Sequence, residues 1–317
     1  MNIQMVDLKG QYEKIKSEID SALLNCVEST NYIKGAEVKF FEDNLARYLG
    51  VNNVIGCGNG TDALQIALMA IDAKRGDEII VPAFTYVATA EAIALLGITP
   101  ILVDVDPETF NISVEEAERA ITPKTKAIVP VHLYGQSSNM EALMRLAVKH
   151  GLYIIEDNAQ SLGADYIFSD GTTKKTGTIG HIGCNSFFPT KNLGCFGDDS
   201  ELADRCRVIA SHGQKRKYYH EVIGCNSRLD TLQAAVLNVK LAHLEEYIVA
   251  RRKAAAYYSE KLSGIDWIAL PGQASYGRHT FNQFTLIIKN GKRDQLQEWL
   301  RKKGVPTIIY YPLPLYR

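Results

Sequence analysis

The sequence lacks the features that announce a nucleic-acid binder, a membrane protein or a disulfide-built one. Its 35 Lys and Arg offset 36 Asp and Glu, for a net charge of -1 over 317 residues, and no polybasic run interrupts that balance. A surface that tracks nucleic-acid phosphates is therefore not expected. The opening MNIQMVDLKGQYEK carries no apolar signal core, and no stretch approaches the roughly 18 apolar residues of a membrane span. A cytoplasmic location without a membrane partner is the expectation. Cys26, Cys57, Cys184, Cys195, Cys206 and Cys225 are scattered with no C-x-x-C pair, which suits reduced thiols better than a disulfide framework or a zinc site. No metal is expected. Repeats, low-complexity linkers and a G-x-x-x-x-G-K-[ST] loop are absent as well.

What is present is an ordinary 46% apolar content, enough for a sizeable core, distributed in two distinct rhythms. Tyr12, Ile15, Ile19, Leu23, Cys26 and Val27 recur at helical spacing and predict an amphipathic helix. From residue 53 short apolar runs alternate with helical stretches: NVIG, EIIVP, PILVDV, KAIVPV and LYIIED. That alternation argues for an α/β fold whose mostly parallel sheet is covered by helices on both faces. Ser113 to Glu116 and Ser138 to Glu141 read as capping boxes. A long helical segment from Ser227 to Leu262, then FTLII and RDQLQEWLRKKG, suggests a smaller α+β C-terminal domain. Residues 1–248 are expected to form the large domain and 249–317 the small one, left incomplete.

In an open α/β sheet, ligands bind outside the carboxyl ends of the strands. The NVIGC strand runs into GNGTDAL, where Gly58 and Gly60 permit a tight turn and Thr61 and Asp62 open a helix. Free amides there would hold a phosphate. The stretch is equally compatible with a plain turn capped by Thr61 or Asp62. GCGNGT is not G-x-G-x-x-G, since Thr61 takes the third glycine position, which counts against a nicotinamide site. LYIIED ends in Glu156 and Asp157, and a carboxylate at a buried strand end needs a metal, an arginine or a protonated heterocycle. Lys191, in SFFPTKNLG, sits where no helix or strand pattern demands a lysine. Together the three places meet the requirements of pyridoxal 5'-phosphate: a helix N-terminus for its phosphate, a carboxylate for its ring nitrogen, and a lysine for its aldehyde. Tyr86, after the EIIVP strand, is the candidate to pack on the ring face. A solvated loop lysine and a satisfied strand-end acid are the bland alternatives.

GNGTDAL, PAFTYVATAEA, PVHLYGQ, IIEDNAQSLGA, GCNSFFPTKNLG, SHGQ and GCNSRLDTLQAA follow one another along nearly the whole chain. In that order they resemble the DegT-type nucleotide-sugar aminotransferases, of the aspartate-aminotransferase-like fold (fold type I). The resemblance implies that Lys191 binds the cofactor as a Schiff base and then moves the proton. It implies that Asp157 pairs with the ring nitrogen, that Gln160 lies near the ring hydroxyl, and that Thr61 and Ser186 hold the phosphate with neighbouring amides of the 58–62 turn. Asn226 would reach the cofactor of the other subunit, making a homodimer the active unit. Retention of lysine at 191, where dehydrating relatives carry histidine, implies transamination from L-glutamate to a nucleotide-linked keto sugar, with 2-oxoglutarate released. KYYHEVIGCNSRLD and GVPTIIYYPLPLY look most like enzymes of UDP-linked 2-acetamido-3-oxo-glucuronate, which serve surface polysaccharide and O-antigen synthesis. Arg228, Tyr310 and Tyr311 would then contact the sugar. Arg228 paired with Asp230 or Glu221, and His132 as a packed structural residue, are the plainer readings.

Two places depart from the family pattern. Asp198-Asp199-Ser200 passes directly into a helix where relatives carry about seven more residues, roughly one strand's length. The chain also stops at Arg317, where relatives continue. Either segments are omitted from the sequence or the protein is truncated in fact, which would favour a non-catalytic relative with a binding or regulatory role. The first is expected, because losing a central strand exposes unpaired backbone groups. His181 stands where the family carries aspartate.

Overall fold

The computed structural model describes residues 3–189, 196–197 and 200–316. Helices α1 (Leu8–Lys14), α2 (Lys16–Ser29) and α3 (Ala36–Leu49) precede β1 (Asn53–Val54), α4 (Gly60–Ala70), β2 (Glu78–Pro82), α5 (Ala88–Leu95) and β3 (Thr99–Val103). Next come α6 (Val114–Arg119), β4 (Thr125–Ile128), α7 (Met140–His150), β5 (Tyr153–Asp157), β6 (Asp165–Ile167), β7 (Thr173–Lys175), β8 (Ile182–Cys184) and β9 (Phe196–Gly197). After these run α8 (Ser200–Ala210), β10 (Gln214–Arg216), β11 (Tyr219–His220), α9 (Thr231–Ala242) and α10 (Leu244–Leu262). The chain closes with β12 (Ile268–Ala269), β13 (Gly277–Arg278), β14 (Ile287–Ile288) and α11 (Arg293–Lys302).

Seven strands form one sheet in the order β1-β9-β8-β5-β4-β2-β3, and only β9 runs against the rest. The alternation of side chains along a strand divides the core between its faces. Ile79, Val81, Ala127 and Ile155 pack with residues of α4, α5 and α8, whereas Ile80, Ile128 and Ile154 pack with residues of α6 and α7. Burial on both faces explains why the strands read as continuous apolar runs. The fold class expected from sequence is the one observed. A third cluster joins α3, α9 and α10 through Phe41, Leu45, Leu237 and Ile248. Among the described residues no helix is long and apolar enough to cross a membrane, and no group of His, Cys, Asp and Glu is arranged to hold a metal.

Several local expectations are corrected. A two-residue strand, β9, bridges β1 and β8 just ahead of Asp198, whereas the residues that seemed absent would follow Asp198, where α8 begins at Ser200. The N-terminal helix breaks at Ile15, whose φ of -118° is not helical, and the long segment after Ser227 breaks at His243. Ser113 caps α6 as expected, its hydroxyl accepting from the Glu116 amide at 3.2 Å. The second capping box does not form, because α7 starts one residue later. Asn139 takes the cap, accepting from the Ala142 amide, while Ser138 donates to the Val131 carbonyl and Glu141 accepts from Ser169.

The chain after residue 248 is tied back to the sheet's strand ends. β13 pairs with β6, the Thr280 amide donates to the Gly135 carbonyl, and the Leu315 amide donates to the Ala83 carbonyl at 2.8 Å. His279 anchors this return: it is 6% exposed, stacks on Phe281 at 4.0 Å, and accepts the Phe281 amide on Nδ1. Burial, then the nearby Arg252 charge, lower its pKa from 6.5 to about 3. Between those values the unfolded chain binds a proton that the folded chain does not. Folding stability is therefore expected to fall as pH drops from 6.5 toward 3, by up to about 1.4 kcal/mol per pH unit. A His279→Gln variant, followed by denaturant unfolding across that range, is expected to show a correspondingly shallower loss; equal slopes would place the sensitivity elsewhere.

Candidate active site

The turn between β1 and α4 builds an anion seat. The cap of α4 is Asn59, two residues ahead of Thr61 and three ahead of Asp62, the caps expected, and its Oδ1 accepts from the Asp62 amide at 2.9 Å. That leaves the Gly60 and Thr61 amides with no acceptor among the described residues, at the positive end of an 11-residue helix. Gly60 permits the close approach. A Cβ there would lie 2.8 Å from the Ser186 Cβ and 3.1 Å from the Asn185 carbonyl oxygen, so only glycine lets the helix end meet the end of β8. Two free amides and the hydroxyls of Thr61 and Ser186 thus gather at one helix N-terminus, the arrangement that binds phosphate. Asp62 braces this seat. Its carboxylate accepts from Ser227 Oγ at 2.7 Å, and that oxygen accepts from the Gly58 amide at 2.8 Å.

The two carboxylates that end β5 face opposite ways. Glu156 is fully buried and accepts from the amides of Gly177, Ile179 and Gly180 at 2.6 to 2.8 Å and from His132 Nε2 at 2.7 Å. His132 Nδ1 accepts the Ser138 amide, so the ring proton lies on Nε2 and is donated to Glu156. Burial pushes the Glu156 pKa up, but the His132 bond and the turn amides outweigh it and hold the carboxyl below the usual range. His132 is thus the packed structural residue of the plainer reading. Asp157, 6% exposed, receives only neutral donors: Thr89 Oγ1 at 2.7 Å on Oδ2 and the Ala159 amide at 3.1 Å on Oδ1. No Lys, Arg or His pairs with it among the described residues.

Gln160 and the C-terminal aromatics close one side. Gln160 accepts the Tyr134 amide at 2.7 Å and donates to the Tyr311 hydroxyl at 3.2 Å. Tyr311 packs edge-on against Phe84 and Tyr310, and Tyr134 donates to the Tyr310 carbonyl. Burial, the neighbouring Tyr310 and the Asp157 charge push the Tyr311 phenol up to about 12, while the Gln160 bond opposes them. Tyr86 is 54% exposed on the loop between β2 and α5. Arg228 is half-buried and forms no ion pair with Asp230 or Glu221. Asn226 is exposed and bridges to Ser211 through the backbone. Lys191 lies outside the described residues. Thr89, Asn59 and Ser227 were not read from the sequence; only Asn59 carried a signal, as an Asn directly before a helix.

The DegT/DnrJ/EryC1/StrS aminotransferase family matches residues 13–317. The chain belongs to that family. It is 48% identical to the "Pleiotropic regulatory protein" of Geobacillus stearothermophilus, covering 100% of this chain and 86% of the relative. It is 46% identical to UDP-2-acetamido-2-deoxy-3-oxo-D-glucuronate aminotransferase of Pseudomonas aeruginosa, covering 99% of this chain and 87% of the relative. Among solved structures, S. venezuelae DesV in complex with a ketimine intermediate matches with a TM-score of 0.93 at 40% identity, covering 99% of this chain and 85% of the other. The protein is an aminotransferase of the sugar-modifying kind, and its cofactor is pyridoxal phosphate.

The residues present fit that cofactor. The α4 seat offers what a phosphate needs, and Asp157 is a buried carboxylate whose partners among the described residues are neutral, which suits a protonated ring nitrogen. Among the described residues, two buried polar atoms lack a partner, Thr85 Oγ1 in the β2–α5 loop and Asn185 Nδ2 directly before Ser186. Gly60→Ala is expected to weaken pyridoxal phosphate binding by about tenfold or more, measured by absorbance titration of the purified protein. Unchanged affinity would show that the end of α4 is not the phosphate seat.

Proposed function

We propose that this protein transfers the amino group of L-glutamate to the keto carbon of a nucleotide-linked sugar, with UDP-2-acetamido-2-deoxy-3-oxo-glucuronate as the acceptor. The observation that carries the reading is the pairing of the α4 anion seat with the Asp157 carboxylate, which meets no cation among the described residues, in one family framework. Pyridoxal phosphate, when bound, supplies an electron sink for the pair left when a Cα–H bond breaks. The chain's own residues do the rest. Thr61, Ser186 and the Gly60 and Thr61 amides hold the phosphate, and Asp157 keeps the ring nitrogen protonated. Gln160, fixed by Tyr134 and Tyr311, borders the ring hydroxyl, and Tyr86 packs on the ring face. Lys191 anchors the cofactor and carries the proton between substrate carbon and cofactor.

The acceptor is supported by the name of the Pseudomonas aeruginosa relative and by Arg228, which is half-buried and has no carboxylate paired with it among the described residues. Its planar fork suits a sugar carboxylate or a phosphate. Tyr310 and Tyr311 line the sugar side, with 249–317 as the unit that presents them to the cofactor-binding body of 1–248. The active unit is a homodimer in which Asn226 serves the partner's cofactor, and the amino sugar formed enters a surface polysaccharide such as the O-antigen. The Geobacillus stearothermophilus relative's name favours a second reading, a regulatory protein that binds the cofactor without turnover.

The visible spectrum of the purified protein with added pyridoxal phosphate separates the two. L-glutamate is expected to convert the visible band to the pyridoxamine form, and the keto sugar to restore it with release of the amino sugar. Lys191→Ala is expected to retain no cofactor after borohydride treatment. A band that glutamate leaves unchanged would sink the transamination reading, and borohydride-fixed cofactor in the Lys191 variant would sink the assignment of that lysine.

A further inference from the structure

The geometry points to Thr89 as a positioning residue for the reaction: its hydroxyl fixes the Asp157 carboxylate in the orientation that meets the cofactor's ring nitrogen. This deepens the proposed function and rests on the role given there to Asp157. Thr89 Oγ1 donates to Asp157 Oδ2 at 2.7 Å across 68 residues of sequence, and both side chains are buried. The helix that carries it is otherwise apolar on its inner side. In ATAEAIAL the buried residues are Thr89, Ala92 and Ile93, so Thr89 supplies the one hydroxyl on that face, and it is aimed at the carboxylate.

A threonine deep inside a helix ordinarily turns its hydroxyl back to the carbonyl three or four residues earlier, but Thr89 is the second residue of α5 and has no helical turn behind it. Here the hydroxyl goes to Asp157 instead. The Ala159 amide takes the other oxygen, so the carboxylate is held at two points by donors that carry no charge. Two consequences follow. The carboxylate plane cannot rotate, and each oxygen keeps a lone pair for an incoming N–H, since a carboxylate offers about four acceptor sites. A lysine or arginine in place of either donor would satisfy the charge and remove the need for a protonated ring. A neutral hydroxyl orients the carboxylate and leaves its charge to the cofactor.

The test compares Thr89→Val, which keeps the shape and deletes the donor, with Thr89→Ser, which keeps the donor, and with Asp157→Asn. Thr89→Val is expected to bind pyridoxal phosphate about tenfold more weakly, the effect of losing one hydrogen bond to a charged group. Its bound-cofactor absorption band is expected to move, and the glutamate half-reaction to slow with KM for glutamate little changed. Thr89→Ser is expected to restore all three. Wild-type affinity, band and half-reaction in Thr89→Val, with Asp157→Asn impaired, would overturn the role of Thr89 alone. Wild-type behaviour in Asp157→Asn would overturn the reading of Asp157 on which it rests. Should Thr89→Val not fold, Thr89→Cys replaces a strong donor by a weak one at similar size. Intermediate losses then support the proposal, and none would overturn it.

Discussion

The structure depends on how two adjacent carboxylates are buried at the end of one strand. β5 ends in Glu156 and Asp157, which point to opposite sides of the sheet, and both are nearly free of solvent. A buried charge without compensation costs several kcal/mol, so one must be neutralised within the fold before the other can be kept for a ligand. Glu156 is the one neutralised. Three amides of the turn between β7 and β8 and the ring of His132 converge on it, and His132 is fixed in turn by the Ser138 amide. The pair therefore locks three segments, the end of β4, the end of β5 and the turn before β8, around the point where the site is built.

That turn can reach Glu156 only because β8 gives it room. Gly183 stands beside Glu156 in the sheet register, and a side chain there would collide with the Gly177 carbonyl. Gly60 solves the same problem on the other side, letting α4 close on Ser186. In each place the missing side chain brings backbone amides to an anion. One anion is the protein's own glutamate, and the other is the cofactor phosphate proposed to sit at α4.

The architecture was legible in the sequence because its signals are local and repeated. EIIVP, KAIVPV and LYIIED are apolar throughout because their strands are covered on both faces, and Ser113 caps α6 as its spacing implies. What escaped was decided by tertiary partners. The spacing through Ile15 and through His243 remains helical in period, yet the backbone breaks where the helices change direction to pack. The one-residue shift from Ser138 to Asn139 follows from Ser138 being drawn to Val131. β9 was invisible at two residues, too short for any periodicity. The sequence marked both Glu156 and Asp157 as strand-end acids, but which of them keeps its charge for a ligand depends on His132 and Thr89, which lie 24 and 68 residues from their respective partners.

The seat at α4 is also coupled to a remote segment, and the coupling explains how an acid can open a helix proposed to hold a phosphate. A carboxylate at the third helical position suits the helix dipole, but near a bound phosphate it would repel. Asp62 escapes this conflict because its charge is turned away and spent on Ser227 Oγ, which accepts the Gly58 amide in turn. Ser227 lies between Asn226 and Arg228, so the same two hydrogen bonds that steady the turn set the position of both side chains. The proposed phosphate seat and the segment proposed to meet the substrate and the partner's cofactor are thereby joined through Ser227 across 165 residues of chain.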